Sequence, residues 1–373
     1  LNESKATRYQ RLRRRAQCTS LAAGALLLLL MALTPAARWL AQAASEAAVV
    51  WPAVLQPGIA LGLFVGSLAL AAEIVALPAS IWAATRSSKR GRRPEVQLGA
   101  VTRSQARDAV AGATIGLAAA SLLHLSMWAG GAWWWALASL MLACATLAAL
   151  SLLSLGLAIS GETRPLHRPA LAARLRALAE RACGRPVDLR EWTSSDGRGA
   201  TAVVTGVGRG GRVLLSSAMV RDWADDEIAV VVAHELSHHR HHDLARKVAV
   251  DAVVWGLALG LADRVVLIWG RGLGLNGVSD LAALPVLALV AGAVWCLVRP
   301  LRLEQSRAHE RRADWFALDL TGDAEAFGRA LRRLGEQHLA EERPSRLTRW
   351  FFHRHPTLEE RLALGRDFAS GQG

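Results

Sequence analysis

Six runs of apolar residues, at about 20–43, 52–84, 108–130, 132–160, 248–269 and 281–299, limit what this chain can fold into more than any other feature. A backbone crossing about 30 Å of hydrocarbon finds no water for its N–H and C=O groups, so a run of that length has to be helical. A hydrophobic content of 52% agrees with that reading. Tryptophans at 51, 82, 128, 133–135, 269 and 295 stand near the predicted ends, where an indole keeps its ring in lipid and its N–H in the wet interface. The expected fold is mainly α, a polytopic helical membrane protein of about six spans. Residues 1–160 are read as an N-terminal four-helix membrane region, and 161–373 as a second region interrupted by a transmembrane helix pair at about 246–299. The first run is expected to be a retained anchor, although its basic start and the small residues of AQAAS also resemble a signal peptide.

The net charge of +13 does not point to nucleic acid, because the arginines crowd beside apolar runs, in RYQRLRRR, RSSKRGRRPE and RPLRLEQSR. They orient the chain instead. Basic residues precede the first run, separate the second from the third (Lys89, Arg90, Arg92, Arg93), follow the fourth (Arg164, Arg168, Arg174, Arg176) and follow the sixth (Arg299, Arg302), so those faces are expected to be cytoplasmic. The loops around Arg38 to Glu46, Trp128 to Trp134 and Arg271 to Asp280 then lie on the other side. Within the fifth run, Asp263 and Arg264 are expected to pair or snorkel near the far interface, and Asp251 to border a wet chamber. Cys18, Cys144, Cys183 and Cys296 form no C-x-x-C pair, so a bound metal has to rely on His and carboxylate.

Two polar regions, about 161–245 and 300–373, are expected to meet on the cytoplasmic side. In the first, LAARLRALAERAC has helical spacing, and ATAVVTGVGRGGRVLLSSAMV reads as strand, Gly-rich turn, strand. Asp225, Asp226 and Glu227 suit the positive end of a helix whose Ile228, Val231 and Val232 pack inward. That helix carries VVVAHELSHHRHHD, in which five of the chain's 11 histidines fall within nine positions. His234 and His238, four apart, share a face and can offer imidazole nitrogens to one ion, with Glu235 a step round the helix. A catalytic zinc needs a third protein ligand and an open position. SRAHERRADWFAL offers one, since Glu310 and Asp314 are also four apart: one carboxylate can bind the metal while the other orients a ligand histidine.

The order AHELSH, two apolar runs, SRAHERRAD, then HPTLEER resembles the membrane zinc metallopeptidases of family 48, the gluzincin-type group that includes type I CaaX prenyl proteases and HtpX-like quality-control proteases. The resemblance rests on His234, Glu235 and His238; on Ser306, Arg307, Glu310, Ala313 and Asp314; and on His355, Pro356, Glu360 and Arg361. It covers about 195–366, and it implies a cytoplasmic-side, zincin-like catalytic region carrying a small β-hairpin or sheet. It further implies that His234, His238 and Glu310 bind one catalytic Zn2+, that Glu235 is general base and acid, and that Asp314 supports a ligand. His355 would stabilise the oxyanion, and Arg361 would hold substrate backbone. Thr201 stands where the family has Asn on a strand beside the substrate, which puts one polar substrate contact in doubt. Asp243 matches a frequent Asp or His of the family and is expected to pack behind the ligands.

The reaction implied is hydrolysis of peptide bonds in membrane-associated, misfolded or lipidated proteins, with the substrate added as a strand near residues 201–215. The partners expected are a peptide or protein substrate and the lipid bilayer, in a bacterial cytoplasmic membrane, with no nucleic acid; the oligomeric state is open. From the residues alone, His355 also suits a hydrogen-bonded structural role before a helix begun by Pro356 and Thr357. His239, His241 and His242 read as a solvated or headgroup-facing stretch. The rival from another class is a membrane metal-handling or metal-sensing protein that uses those three histidines and has no need of Glu235.

Overall fold

The computed structural model describes residues 5–87, 94–159, 163–184, 186–193, 200–205, 211–337 and 344–371. In chain order these form α1 (Lys5–Leu33), α2 (Ala36–Ala48), α3 (Gln56–Ser87), α4 (Pro94–Gly130), α5 (Trp134–Ile159), β1 (Thr163–Pro165), α6 (Pro169–Cys183), β2 (Asp188–Trp192), β3 (Ala202–Thr205) and β4 (Arg212–Ser216). There follow α7 (Ser217–Asp222), α8 (Asp225–Arg240), α9 (Asp243–Trp269), α10 (Leu284–Thr321), α11 (Ala324–Gln337), α12 (Arg346–Phe352) and α13 (Leu358–Ala369). The protein is mainly helical with one small sheet, as the sequence implies. It divides into two compact units, residues 1–144 with 250–298 and residues 145–249 with 299–373.

The first unit is built for lipid. Its core sets alanines, Ala37 and Ala44 of α2, Ala120 of α4, Ala138 of α5 and Ala262 of α9, beside larger apolar side chains, Leu61 and Phe64 of α3 and Leu259 of α9. Leu70, Ile115, Leu257 and Ile268 point outward. Alanines that let helices approach closely, with leucine and isoleucine left facing out, are what helices adopt when lipid gives no hydrophobic reason to hide every leucine. Trp134 departs from the expected interfacial role: it is buried, and its indole Nε1 donates to Asp263 Oδ1 at 2.8 Å. That bond, with Arg264 Nε 3.9 Å from Asp263 Oδ2, satisfies the carboxylate in the fifth apolar run.

Five helical segments among the described residues are long and apolar enough to cross a membrane: Gln10–Leu33, Gln56–Trp82, Gln105–Leu150, Asp243–Trp269 and Leu281–Thr321. Two boundaries differ from expectation. The run at 20–43 is cut at Thr34-Pro35, since Pro35 has no N–H to continue α1, and Arg38 to Glu46 is helix rather than loop. The turn expected at Trp128 to Trp134 narrows to a short 3-10 turn at Gly131–Trp133 between α4 and α5, where Gly131 takes φ +50° and the chain folds back so closely that a Cβ on Gly130 would lie 3.5 Å from that of Leu137. The basic cluster Lys89 to Arg93 lies outside the described residues, as does the expected Gly-rich turn at 206–210.

The second unit carries a four-stranded sheet in the order β1-β2-β4-β3. β3 and β4 pair antiparallel, as the strand–turn–strand pattern predicts, while β2 lies parallel to β4 and β1 antiparallel to β2. Ile228 and Val232 of α8 join the core with Leu171 and Leu175 of α6 and Phe327 of α11. The acidic first turn of α8 is matched from α11: Arg329 pairs with Asp226, and Arg333 Nη1 with Glu227 Oε2 at 2.9 Å. α8 stops at a sharp break, where His242 adopts φ +52° and α9 begins at Asp243. α10 runs unbroken through Pro300, so the last apolar run and the Glu310 segment share one 38-residue helix.

Candidate metal centre

α8 places His234 and His238 one turn apart, with their Nε2 atoms 3.2 Å from each other. Glu310 of α10 faces both: Oε2 is 3.4 Å from His234 Nε2 and Oε1 is 3.7 Å from His238 Nε2. Four ligands set tetrahedrally at zinc-like bond lengths of about 2.0–2.1 Å stand roughly 3.3 Å apart. The three separations bracket that spacing, and the three residues form the metal-competent His, Cys and carboxylate group found among the described residues. Two nitrogens from one helix and one oxygen from a distant stretch of chain are a fitting donor set for a catalytic ion with one position open.

Each histidine is backed by a carboxylate on its other nitrogen. His238 Nδ1 lies 2.8 Å from Asp243 Oδ2, at hydrogen-bond geometry. His234 Nδ1 lies 2.9 Å from Asp314 Oδ1, at ion-pair distance but off the hydrogen-bond direction. Such partners fix which nitrogen is free for a metal and which way the ring faces. Asp243 sits at the start of α9 immediately after the His242 break, and Arg312 of α10 also donates to it. Asp314 is wholly buried and accepts two hydrogen bonds from Arg361, from Nε at 2.7 Å and Nη2 at 2.5 Å.

The charges follow from these contacts. Burial alone would lower the His234 imidazolium, but Asp314 and Glu310 outweigh it and push it up to about 9. Burial raises the Glu235 carboxyl above its usual range, against the pull of His234 and His238. Burial works against the Arg361 charge too, and Asp314 more than restores it.

Glu235 opens onto a cleft of about 430 Å3, lined also by Thr201, Val231, Leu334, His355 and Arg361. The cleft thus gathers every residue expected at the site except His238 and Asp243, which lie behind it. Among the described residues β3 is the outermost strand of the sheet here, with β4 on one of its sides. Thr201 just before it is held by backbone bonds, its N–H donating to Ser216 Oγ at 2.9 Å and its C=O accepting from Ser216 N at 2.9 Å. His355, on the turn between α12 and α13, brings Nδ1 to 2.8 Å from Glu310 Oε2 while the rest of its ring is exposed. Pro356 behind it is buried, and Thr357 with Glu360 forms a reciprocal cap on α13 at 3.0 and 3.2 Å.

Sequence reasoning left Arg307 without a role. It is fully buried, donates to the carbonyl oxygens of Arg349 (3.1 Å) and His353 (2.8 Å), and is balanced by Glu304 at 2.7 Å. One turn before Glu310, it ties the metal-facing helix to the segment leading into His355. Of the extra histidines, His241 turns back on its own helix, Nδ1 donating to Ser237 O at 2.8 Å, and stands edge-on to Phe316. His242 supplies the break. Neither they nor His239 join the metal-competent group.

Fold and site together define an integral membrane protein with a two-histidine, one-carboxylate centre on a cleft beside a sheet edge. Residues 165–366 match Peptidase family M48, which is more than half of the chain, and the chain belongs to that family. It is 30% identical over 204 residues to an uncharacterized metalloprotease, YhfN, of Bacillus subtilis (strain 168), a match covering 53% of this chain and 48% of that protein. A protease HtpX homolog of Acidiphilium cryptum (strain JF-5) is 32% identical over 166 residues, covering 38% of this chain and 55% of the relative. The chain thus spans about half the length of the curated relatives it matches. The crystal structure of S. mikatae Ste24p superposes with a TM-score of 0.64 at 18% identity, covering 87% of this chain and 79% of that one, a likeness of fold.

Proposed function

We propose that this protein is a zinc-dependent endopeptidase whose catalytic region, within 161–373, faces the cytoplasm from a bacterial cytoplasmic membrane, residues 1–160 forming its N-terminal membrane region. The observation that carries the reading is the convergence of His234 Nε2, His238 Nε2 and the Glu310 carboxylate at 3.2, 3.4 and 3.7 Å, with Glu235 beside them on an open cleft. When bound, zinc would polarise the scissile carbonyl and make water acidic enough to lose a proton near neutral pH.

The chain's own residues do the rest. Glu235, its affinity for a proton raised by burial, takes a proton from the attacking water and passes it to the leaving amine. His355, held by Nδ1 on Glu310 with most of its ring exposed at the cleft mouth, donates to the carbonyl oxygen as negative charge grows there. Asp314 and Asp243 hold the histidine rings, and Arg361, anchored on Asp314, presents the cleft side of its guanidinium to substrate backbone. A peptide adds as a strand along the outer edge of β3, with Thr201 at its end. Backbone pairing of this kind accepts many sequences, which suits membrane-associated, misfolded or lipidated protein substrates.

The test is Glu235→Gln in purified full-length protein, read by zinc content and by cleavage of an unfolded membrane-protein fragment. Zinc should stay near one ion per chain while hydrolysis falls by about a hundredfold or more, the scale of a general base. Cleavage at the parent's rate by zinc-loaded Glu235→Gln protein would overturn the mechanism.

A further inference from the structure

Helix α12 turns its apolar stripe away from the protein. Leu347, Trp350 and Phe351 stand at i, i+3 and i+4 on one face, and they are 71%, 58% and 36% exposed. None of the helix's residues is buried. What holds it is polar: Arg307 Nη1 on the carbonyls of Arg349 and His353, Arg299 Nε on the carbonyl of Phe351 at 2.6 Å, and Ser345 capping its start at 3.2 Å. The Arg299 guanidinium also lies 5.8 Å from the centre of the Phe352 ring. Three large apolar side chains grouped in the open mark a surface that something apolar covers.

Arg299 says what covers it. It is the residue at which α10 passes from the apolar run at 281–299 into a charged stretch, and Leu301, two residues on, is 74% exposed. Because Arg299 itself grips Phe351, α12 is pinned at the level where α10 leaves the hydrocarbon. Arg346 and Arg354 flank the stripe, both exposed. Tryptophan, phenylalanine and leucine beside arginines are the make-up of a helix lying in the headgroup region of a bilayer, where anionic lipids attract the arginines.

We propose that α12 is an interfacial helix, seating Leu347, Trp350 and Phe351 in the boundary between headgroups and acyl chains, with Arg346 and Arg354 on anionic headgroups. The inference rests on α12 and on the membrane reading of α10, independently of hydrolysis. It gives the bilayer a part in the site, because α12 leads through His353 directly to His355.

The experiment uses full-length protein in nanodiscs of phosphatidylcholine, with and without phosphatidylglycerol, after its four cysteines are replaced by serine. Leu347→Cys, Trp350→Cys and, as an exposed control on α13, Glu359→Cys each carry an environment-sensitive dye. Labels at 347 and 350 should be quenched severalfold more than the control by lipids bearing a shallow nitroxide, and shielded from aqueous iodide. Arg346→Glu with Arg354→Glu, which leaves the stripe intact, should reduce quenching at 350 in the anionic discs. Iodide quenching equal at all three positions would overturn the proposal. So would shielding from iodide without lipid quenching, the mark of a protein partner or second copy on the stripe. Wild-type lipid quenching in the double arginine variant would remove the headgroup contact.

Discussion

Arg307 heads the largest fully buried side chains among the described residues, and it carries a charge. A buried guanidinium is tolerable only when its donors are filled, and Glu304 with the carbonyls of Arg349 and His353 fills them. Lysine keeps the charge but not the planar fork, so its one nitrogen cannot serve Glu304 and both carbonyls as Nε, Nη1 and Nη2 do together. Arg307→Lys should therefore keep its zinc and its KM while kcat falls ten- to a hundredfold, about the effect of misplacing a reacting group by 1 Å. Arg307→Ala should also cost about 1–3 kcal/mol of stability for the groups left unsatisfied. Steady-state kinetics with zinc analysis separates the two outcomes; loss of activity in proportion to zinc in the lysine variant would reduce Arg307 to a purely structural part.

At the scale of elements, the α8–α9 break decides whether His238 and Asp243 meet. His242 holds φ +52°, a conformation that costs a Cβ-bearing residue about 1–2 kcal/mol and a β-branched one more. His242→Gly should leave stability within about 1 kcal/mol of the parent, whereas His242→Val should lower it by about 1–2 kcal/mol and weaken zinc retention, as read by thermal unfolding and chelator competition. The i, i+4 pairs of this centre were legible in the sequence because helical spacing alone puts 234 with 238 and 310 with 314. The apolar runs likewise announced their helices. Other elements left no such trace. β2, DLREW, is too charged to read as a strand and is paired only through its neighbours β1 and β4. Pro300 suggests a helix end, yet α10 continues through it. Arg307 acts on backbone carbonyls, which every residue has, so nothing in its targets' side chains betrays it. His242 is one of five histidines whose types are alike and whose backbone angles are not.

For the whole molecule, the arginine pattern makes a claim that the residues inside each unit do not. Cysteine substitution and labelling in intact cells should find Ser345 reachable only from the cytoplasm and the Gly272–Ser279 loop only from outside; external labelling of Ser345 would reverse the orientation. The Thr34-Pro35 cut shifts where the first span ends, and the chain folds back at Gly131 between α4 and α5, so neither changes the side on which that expectation places Ser345. The continuity of α10 bears on reach. From Arg299 to Glu310 is eleven residues of unbroken helix, about 16 Å at 1.5 Å per residue. The helix is a ruler fixed at one end in the membrane. A substrate anchored in the same leaflet, its chain extended at about 3.3 Å per residue, covers that length with about five residues. Under the proposed function, bonds nearer the anchor than that should lie out of reach of Glu310, so cleavage of such a substrate should leave a stub of at least about five residues whatever its sequence.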